Sequence, residues 1–392
     1  MRYLNIGTAG HVDHGKTSLV SKLTGKWTDT HSEEKKRGIT IRLGYANASI
    51  YRCSKCPEES YTLMKKCIKH ESDCEEKVNV SFVDAPGHET LMTVMIAGTS
   101  MMDGVLFVIA ANEKCPQPQT KEHLMALDIA GIKNIIIVQN KIDLVTEEKA
   151  KENYNQIKEL IKGTTAENAV IIPVSTQFGA NIDILLQAIV EVFKEKEKNE
   201  KSQPIYLIAR SFDINKPGGE PSKLKGGVLG GVLKQGTLKK GDNIIILPDE
   251  IKTKISSIDF MDKIVDKITP GGTTGICTSL DPSLTKADRL SGSIITLEKE
   301  PLPIRNSLSL EFHLMERIVG TEEEVSAEPI RINEKLVINA WTSKTIGTVL
   351  SVKKNILEVK LSSPICILDK EKVTLSRMIN NRWRLVGYGI IK

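Results

Sequence analysis

The sequence has no apolar run near the roughly 18 residues that a membrane-spanning helix needs. Its first residues, Met1-Arg2-Tyr3, lead directly into a predicted strand without the pattern of a secretory signal peptide. No internal repeat or low-complexity segment stands out. These absences argue against a membrane protein and a repeat protein, so we expect a soluble, cytoplasmic protein without a membrane partner.

Cysteine is also sparse outside one short segment. Of the seven cysteines, Cys115, Cys277 and Cys366 are isolated, whereas the other four cluster. A disulfide framework is disfavoured in a cytoplasmic chain. Metal binding is therefore the first chemistry to test for the cluster.

The charge is modest, with a formal net charge of +5 that resides in the second half of the chain. The C-terminal part includes Arg382-Trp383-Arg384. Such a bias could follow a phosphate backbone. It is also compatible with an ordinary solvated face.

At 392 residues the chain is too long for one ordinary core, and we predict three domains. Strand-like and helical patterns alternate up to about residue 195, which indicates an α/β fold with a mostly parallel sheet and helices on both faces. Short strands separated by Gly, Pro and Asn then indicate two consecutive β-barrels. The predicted domains are 1–200, 205–300 and 304–392.

The pattern also predicts individual elements. In the first domain the predicted strands are 3–8, 78–83, 105–110, 134–138 and 169–174, and the predicted helices are 16–23, 89–97, 119–130, 147–161 and 181–193. In the barrels the predicted strands are 206–211, 226–234, 243–247, 253–258, 292–297, 308–314, 335–341, 345–353, 356–361 and 382–388.

One stretch fits a phosphate-binding loop: Gly10-His11-Val12-Asp13-His14-Gly15-Lys16-Thr17. It lies between a predicted strand and a predicted helix, which is the setting that this motif requires. Backbone N–H groups and a helix N-terminus would surround the β-phosphate, and Lys16 would add a positive charge. The Thr17 hydroxyl can bind magnesium.

Two segments resemble the switches of a guanine-nucleotide hydrolase. Thr40 lies in a polar stretch after the first predicted helix, where it could contact magnesium and the γ-phosphate. In Asp84-Ala85-Pro86-Gly87-His88, Asp84 can hold a magnesium-bound water and the Gly87 N–H can bind the γ-phosphate. His88 stands where a side chain is needed to orient the attacking water, and is the candidate catalytic residue.

Two further segments are suited to the base. Asn140-Lys141-Ile142-Asp143 follows a predicted strand, which allows Asp143 to accept hydrogen bonds from guanine N1 and N2. Adenine lacks that donor pair, so an unpaired carboxylate would disfavour ATP. Ser175-Thr176-Gln177 follows the next strand and could direct a backbone N–H at guanine O6.

The cysteine cluster forms an insert at 53–74, between two predicted strands. Its four thiols, Cys53, Cys56, Cys67 and Cys74, are suited to tetrahedral zinc in a structural role. The polar spacers could not form a core of their own. Reduced free thiols are the alternative, because the spacing is less regular than two Cys-x2-Cys pairs.

These residues resemble the translational GTPase superfamily, which usually pairs the loop motif with Asp-Ala-Pro-Gly-His. Within it, the stretch from Arg37-Gly38-Ile39-Thr40 to Ala48, the cysteine insert and Lys225-Gly226-Gly227-Val228-Leu229-Gly230-Gly231 resemble the family of gamma subunits of archaeal and eukaryotic translation initiation factor 2. The resemblance spans essentially the whole chain. It implies a P-loop GTPase domain followed by two β-barrels.

The resemblance also implies ligands and site residues. It implies GTP or GDP, Mg²⁺ and structural Zn²⁺, with GTP hydrolysis that is slow without help from the ribosome or a partner. Relatives usually have alanine where this chain has Thr176; the expected contact there is made by the backbone, so we expect little loss. By position, phosphate contacts are expected from Asp13, His14, Gly15, Lys16, Thr17 and Ser18, magnesium at Thr17 and Thr40, a second magnesium beside Asp13 and Gly38, and guanine contacts from Asn140, Lys141 and Asp143.

The implied partners are initiator methionyl-tRNA, the alpha and beta subunits of a heterotrimer, and the small ribosomal subunit. In the GTP state the first domain would close onto the first barrel and form a cleft for the tRNA end. Tyr45, Lys225 and Gly226 are the candidate tRNA contacts. As an alternative, Tyr45 is simply a strand residue that packs against the core.

Two other functions stay open on the residues. The cargo could be an elongator aminoacyl-tRNA, as in elongation factor Tu-like proteins or selenocysteine-specific elongation factors. The cysteine insert argues against the first, and the lack of a C-terminal extension argues against the second. Alternatively, the chain is an assembly hub whose GTP hydrolysis is incidental.

Overall fold

The computed structural model describes residues 2–28, 40, 43–56, 60–88, 92–195, 199–215, 225–315, 317–318, 325–326 and 328–392. The chain forms two compact units. One comprises Met1–Lys196 with Arg317–Val325, and the other comprises Glu197–Glu316 with Ser326–Lys392. Both barrels belong to the second unit, and the division into three domains stays a prediction.

A seven-stranded sheet forms the centre of the first unit, in the order β3-β2-β4-β1-β5-β6-β7. Strands β4, β1, β5, β6 and β7 run parallel, while β2 and β3 add antiparallel pairings at one edge. The strands are β1 (Tyr3–Ala9), β2 (Gly44–Arg52), β3 (Tyr61–Thr62), β4 (Glu75–Asp84), β5 (Gly104–Ala110), β6 (Ile135–Asn140) and β7 (Val170–Pro173).

Five α-helices accompany this sheet among the described residues: α1 (Lys16–Thr24), α2 (Met92–Thr99), α3 (Pro118–Ala130), α4 (Glu147–Ile161) and α5 (Ile182–Val192). Helix α1 ends at Gly25, whose left-handed φ of 71° lets its N–H donate to the Ser21 carbonyl. The predicted start of α2 at residue 89 lies outside the described residues. The other predicted helices agree with the structure to within one residue at each end.

Apolar strands explain the sheet. All seven residues of β5 are buried, as expected for a central parallel strand covered on both faces. Leu19 and Leu23 of α1 and Leu185 of α5 pack with strand residues in one buried cluster. Because β1, β4, β6 and β7 are parallel, the loops that follow them lie at one edge of the sheet.

The second unit begins with an antiparallel barrel of six strands, closed by pairing of β11 with β12, to which β13 adds a short edge. Its core is mostly aliphatic and includes Ile208, Leu229 and Ile276. The strands are β8 (Ile205–Phe212), β9 (Val228–Gln235), β11 (Asn243–Leu247), β12 (Ile251–Phe260), β13 (Lys263–Val265), β15 (Thr274–Thr278) and β16 (Ile294–Leu297), beside a separate pair of β10 (Leu238–Lys239) and β14 (Lys267–Ile268).

A second closed barrel follows, in the order β17-β22-β21-β20-β23-β24. The strands are β17 (Ile304–Leu314), β20 (Lys335–Ala340), β21 (Ser343–Lys353), β22 (Ile356–Cys366), β23 (Lys372–Ile379) and β24 (Arg382–Ile391); β18 (Arg317–Ile318) and β19 (Val325–Ser326) form a separate pair. The predicted fold class is therefore confirmed. The sequence pattern missed β2, β15 and β23 and the short strands β3, β10, β13, β14, β18 and β19. No described helix is long and apolar enough to span a membrane.

Candidate nucleotide site and cysteine cluster

The phosphate loop curls around its own lysine. Lys16 Nζ donates to the carbonyl oxygens of Gly10, at 2.9 Å, and His11, at 2.7 Å. Gly15 precedes α1 with a left-handed φ of 90°. A Cβ on Gly87 would lie 2.9 Å from the Gly10 carbonyl oxygen and 2.2 Å from Lys16 Nζ, so a larger residue would press the segment after β4 against the backbone of the loop.

Asp84 organises the hydroxyl groups beside the loop. This carboxylate is fully buried and accepts hydrogen bonds from three threonines. Thr8 Oγ1 lies 2.8 Å from Oδ1, while Thr17 and Thr28 Oγ1 each lie 2.7 Å from Oδ2. Thr40 Oγ1 is 3.0 Å from Thr17 Oγ1, so the predicted magnesium residues Thr17, Thr40 and Asp84 converge.

Sequence reasoning missed Thr8 and Thr28 in this network. Both lie more than 50 positions from Asp84 along the chain. No local pattern links residues that far apart. Their roles follow only from the pairing of β1 with β4 and from the path of the chain after α1.

A cavity of about 420 Å³ opens above the loop. Its volume is in the range of small-ligand pockets. Trp27, which is half exposed, contributes an aromatic surface that the sequence analysis did not single out. The cavity is lined by Val12, Asp13, Gly15, Lys16, Thr17, Ser18, Trp27, Thr40, Gly87 and Lys141.

His14 contributes to the loop in a different way than expected. Its ring is buried below the loop, with Nδ1 3.1 Å from the Val108 carbonyl oxygen and Nε2 3.4 Å from Glu113. Burial lowers the pKa of His14 to about 3. Only the backbone of His14 is therefore available for the predicted phosphate contact.

The base-side loops are joined by Asn140. Its Nδ2 donates to the His14 carbonyl at 3.0 Å, and its Oδ1 accepts from the Thr176 N–H at 3.2 Å and hydroxyl at 2.7 Å. Asn140 thus connects the loops that follow β1, β6 and β7. Ser175 is buried, whereas Gln177 and Asp143, in the 3-10 turn Ile142–Leu144, are exposed beside them.

Of the remaining predicted residues around the site, the structure describes Asp13 and His88 but not Gly38. Asp13 has a left-handed φ of 63° and lines the cavity. His88 is half-buried and follows Gly87, after the end of β4. Gly38 lies outside the described residues, so its predicted part in a second magnesium site stays a prediction.

The cysteine insert gathers three thiols around a histidine. His70 Nδ1 lies 3.7 Å from the Cys53 and Cys56 sulfurs and 3.5 Å from the Cys67 sulfur, and the Cys56 and Cys67 sulfurs are 3.8 Å apart. Tetrahedral zinc with typical bond lengths gives S···S near 3.8 Å and S···N near 3.6 Å. The donor set therefore has the spacing of a ZnS₃N site, which would be fully ligated by protein.

The pattern of four thiols predicts Cys74 as the fourth ligand and does not include His70. The signal was present, since Cys67-x2-His70 repeats the spacing of Cys53-x2-Cys56. Cys74 lies nearby: its pKa is raised by burial and by the neighbouring Cys53 and Cys67 thiols. The pKa of Cys53 falls to about 6 despite burial, because the Lys55 backbone and the adjacent side chains donate hydrogen bonds to its thiolate.

The three tRNA candidates have structural roles in their own units. Tyr45 is half-buried on β2, opposite Val83. A Cβ on Gly226 would lie 1.9 Å from the Thr278 carbonyl oxygen, so close packing alone requires this glycine. Lys225 is exposed, and its N–H donates to Asn215 Oδ1 at 2.8 Å, which leaves its ammonium group on the surface.

Two family models match the chain. "Elongation factor Tu GTP binding domain" covers residues 1–195, and "Initiation factor eIF2 gamma, C terminal" covers residues 306–391. Translation initiation factor 2 subunit gamma of Methanococcus maripaludis is 53% identical over 99% of this chain and 98% of its own length. The Pyrococcus furiosus protein of the same name is 52% identical over 99% and 97%.

Solved structures give the same fold at lower identity. A bacterial selenocysteine-specific elongation factor matches with a TM-score of 0.77 and 24% identity, over 100% of this chain and 58% of its own. Elongation factor SelB of Methanococcus maripaludis, in complex with a GTP analogue, matches with a TM-score of 0.75 and 22% identity, over 100% and 79%. These two likenesses concern the fold alone.

Proposed function

Because this chain belongs to the family of translation initiation factor 2 gamma subunits, we propose that it is the GTP-switched carrier of initiator methionyl-tRNA to the small ribosomal subunit. It is a translational GTPase, which hydrolyses GTP to GDP with Mg²⁺. The observation that supports the switch is the meeting of Thr17, Thr40 and Asp84 beside the phosphate loop.

These side chains would hold Mg²⁺ at the phosphates. Thr17 and Thr40 offer hydroxyl oxygens, and the buried Asp84 carboxylate aligns the Thr17 hydroxyl and can accept a hydrogen bond from a bound water. When bound, Mg²⁺ neutralises charge on the phosphate oxygens during transfer to water. Asp13 would border a second Mg²⁺.

The chain's own groups would do the rest of the chemistry. Lys16 would turn from the His11 carbonyl to β- and γ-phosphate oxygens while keeping its contact with the Gly10 carbonyl, and Gly87 would donate its N–H to the γ-phosphate. His88 would orient the attacking water, so His88→Ala should slow hydrolysis and leave GTP affinity unchanged. Equal hydrolysis rates of His88→Ala and wild type on the small ribosomal subunit would contradict this role.

Guanine recognition would rest on the loops that Asn140 joins. Asp143 would accept from guanine N1 and N2, Lys141 lines the cavity beside the base, and Ser175, Thr176 and Gln177 would present backbone groups to O6. A misplaced base leaves a carboxylate unpaired, which costs about 1–3 kcal/mol. The expected discrimination against ATP is therefore about five- to 150-fold.

The cysteine cluster would hold structural zinc through Cys53, Cys56 and Cys67, with His70 as the fourth ligand. The support is the spacing of the four donors, which matches tetrahedral zinc. Cys74, the fourth ligand predicted from the sequence, is the alternative donor. With four protein ligands, no position would be left for a reactive water.

Binding of tRNA in two nucleotide states tests the cargo. We expect initiator methionyl-tRNA to bind at least tenfold more tightly with a non-hydrolysable GTP analogue than with GDP, and more tightly than elongator methionyl-tRNA. Thr40→Val keeps the side-chain shape without the hydroxyl and should abolish the difference between nucleotides. Preference for elongator aminoacyl-tRNAs, or for selenocysteinyl-tRNA, would instead favour an elongation factor.

Individual tRNA contacts can be tested in the same assay. Tyr45→Ala should weaken binding of initiator tRNA, while Tyr45→Phe separates loss of the ring from loss of the hydroxyl. Lys225→Ala should weaken binding in a salt-dependent way, because an exposed ammonium acts on phosphates through charge. Co-purification of alpha and beta subunits with the full chain tests the heterotrimer.

A further inference from the structure

His123 lies directly below the phosphate loop and is fully buried on α3. Its Nδ1 lies 2.9 Å from the Gly10 backbone nitrogen and accepts that N–H. The carbonyl of the same residue, Gly10, accepts from Lys16 Nζ, also at 2.9 Å. One residue at the start of the loop is therefore held by a histidine through its N–H and by the phosphate lysine through its C=O.

Gly10 has little freedom to find another arrangement. Its φ is 134°, and a Cβ there would lie 2.2 Å from the Val108 carbonyl oxygen of β5. The loop thus leaves β1 in close contact with the neighbouring strand, and the Gly10 N–H is turned into the protein interior. A buried backbone N–H needs an acceptor, and His123 supplies it.

The ring can accept only when Nδ1 carries no proton, which fixes the neutral tautomer with hydrogen on Nε2. Burial lowers the pKa of His123 well below its usual value, and the nearby Lys16, His11 and His14 lower it further. Within the described residues, His123 Nε2 has no hydrogen-bond partner. The polar function of this buried ring is therefore directed at Gly10.

We propose that His123 is a positioning residue for Lys16: by holding the Gly10 N–H, it fixes the position of the Gly10 carbonyl, which in turn holds the Lys16 ammonium beside the phosphates. The role depends on the GTP binding on which the proposed function also rests, but not on the tRNA cargo. A protein that binds elongator tRNA would leave it intact. Loss of nucleotide binding altogether would contradict both.

Two substitutions separate the acceptor from the packing. His123→Asn can place its amide oxygen near the position of Nδ1, whereas His123→Gln carries its oxygen farther out, near Nε2. We expect His123→Gln to release fluorescent GDP about three- to tenfold faster than wild type, the range of one hydrogen bond. His123→Asn should remain within about twofold of wild type.

A double-mutant cycle shows whether the effect passes through Lys16. In a Lys16→Ala background, His123→Gln should change the affinity for GDP by less than about 1.5-fold, because the lysine that it positions is gone. Equal effects of His123→Gln in both backgrounds would overturn the proposal. So would His123→Asn behaving no better than His123→Gln.

A measurement on the wild-type chain covers the case in which a variant fails to fold. Nitrogen-15 NMR of the histidine rings distinguishes the two neutral tautomers and the protonated form. We expect His123 to be neutral with the proton on Nε2 in the GDP complex. A proton on Nδ1 would remove the acceptor and disprove the role.

Discussion

The phosphate loop and the cysteine insert lie on the same sheet but are stabilised in different ways. In the loop, Lys16 and the Thr17 hydroxyl have protein partners before any ligand binds. In the insert, the side chains of Cys53, Cys56, Cys67 and His70 have mainly each other. Hydrogen bonds within the protein therefore hold the loop in place. The donors of the insert are instead arranged to bind a metal ion.

This difference predicts which region loses its structure when the nucleotide or the metal is removed. Losing the ligand should leave the phosphate loop formed, because its hydrogen bonds lie within the chain. Losing the metal should disrupt the insert, because polar spacers between the cysteines cannot form a core. The following experiments test that contrast, beginning with the largest expected effect.

Removing the metal should have the largest effect. Structural zinc contributes about 10–16 kcal/mol of apparent binding energy in small peptides. We expect one zinc per chain, and a drop in zinc affinity of about 100-fold or more in Cys67→Ser and in His70→Ala. Metal analysis by mass spectrometry and thermal unfolding with and without chelator measure both effects.

The matched controls are His70→Cys and Cys74→Ser. His70→Cys replaces one zinc ligand by another and should retain the metal, while Cys74→Ser should be neutral. Zinc loss in Cys74→Ser with retention in His70→Ala would identify Cys74 as the fourth ligand. Unchanged melting of a variant without Cys53, Cys56, Cys67 and Cys74, together with an absence of zinc in wild type, would contradict a zinc site altogether.

The next largest effect is expected from removing Asp84, which organises the hydroxyl groups beside the phosphate loop. Asp84→Ala would leave the hydroxyls of Thr8, Thr17 and Thr28 without their shared acceptor. Each unsatisfied buried donor costs about 1–3 kcal/mol. Because the three hydroxyls can partly rearrange, we expect Asp84→Ala to lower the free energy of unfolding by about 3 kcal/mol in total. Urea unfolding of the nucleotide-free protein measures this loss. Thr28→Val, which removes one donor, should cost about 1 kcal/mol; equal stability of Asp84→Ala and wild type would show that the network is not preorganised.

The sequence was informative where a function demands a fixed local pattern. The loop from Gly10 to Thr17 and the segment from Asp84 to His88 could be placed because glycine, lysine and aspartate are needed there at set spacings. Their neighbours were not predictable in that way. Thr8 and Thr28 reach Asp84 through tertiary pairing, and no local signal marks them.

Two of the missed strands have local explanations. Strand β15, Thr274–Thr278, contains glycine and follows Gly271 and Gly272, which together resemble a turn more than a strand. Strand β23, Lys372–Ile379, begins with an exposed lysine, contains the charged Arg377 and follows a turn. Both pair with neighbours on either side, so barrel closure rather than local preference decides their structure.

A smaller loss of stability is expected when the pH is lowered, because of His123. His123 has a pKa in the folded protein below its value of about 6.5 in the unfolded chain. Below about pH 6.5 His123 therefore binds a proton in the unfolded chain but not in the folded protein. The free energy of unfolding is highest above about pH 6.5 and decreases as the pH falls below that value. From pH 7.5 to 5.5 this loss can reach at most about 1.4 kcal/mol, the limit set by the pKa of the unfolded chain.

His123→Asn isolates that contribution from acid loss of zinc, because the insert is the same in both proteins. The fall in unfolding free energy between pH 7.5 and 5.5, measured in urea, should be smaller in the variant, by up to about 1.4 kcal/mol. Identical pH profiles would mean that His123 titrates normally, and hence that the loop is not held from below by a neutral ring.

The smallest effect is expected at Thr176. Its N–H and its hydroxyl both donate to Asn140 Oδ1, so Thr176→Ala removes one bond and keeps the other. The expected loss is about 0.5–1 kcal/mol, or less than about sixfold in GDP affinity. Asn140→Ala is the contrast, since it also releases the His14 carbonyl and separates the base-side loops from the phosphate loop. If Thr176→Ala weakened GDP binding as much as Asn140→Ala, the loops around the base would depend on one hydrogen bond and not on a network. The preorganisation seen around Asp84 would then not extend across the whole nucleotide site.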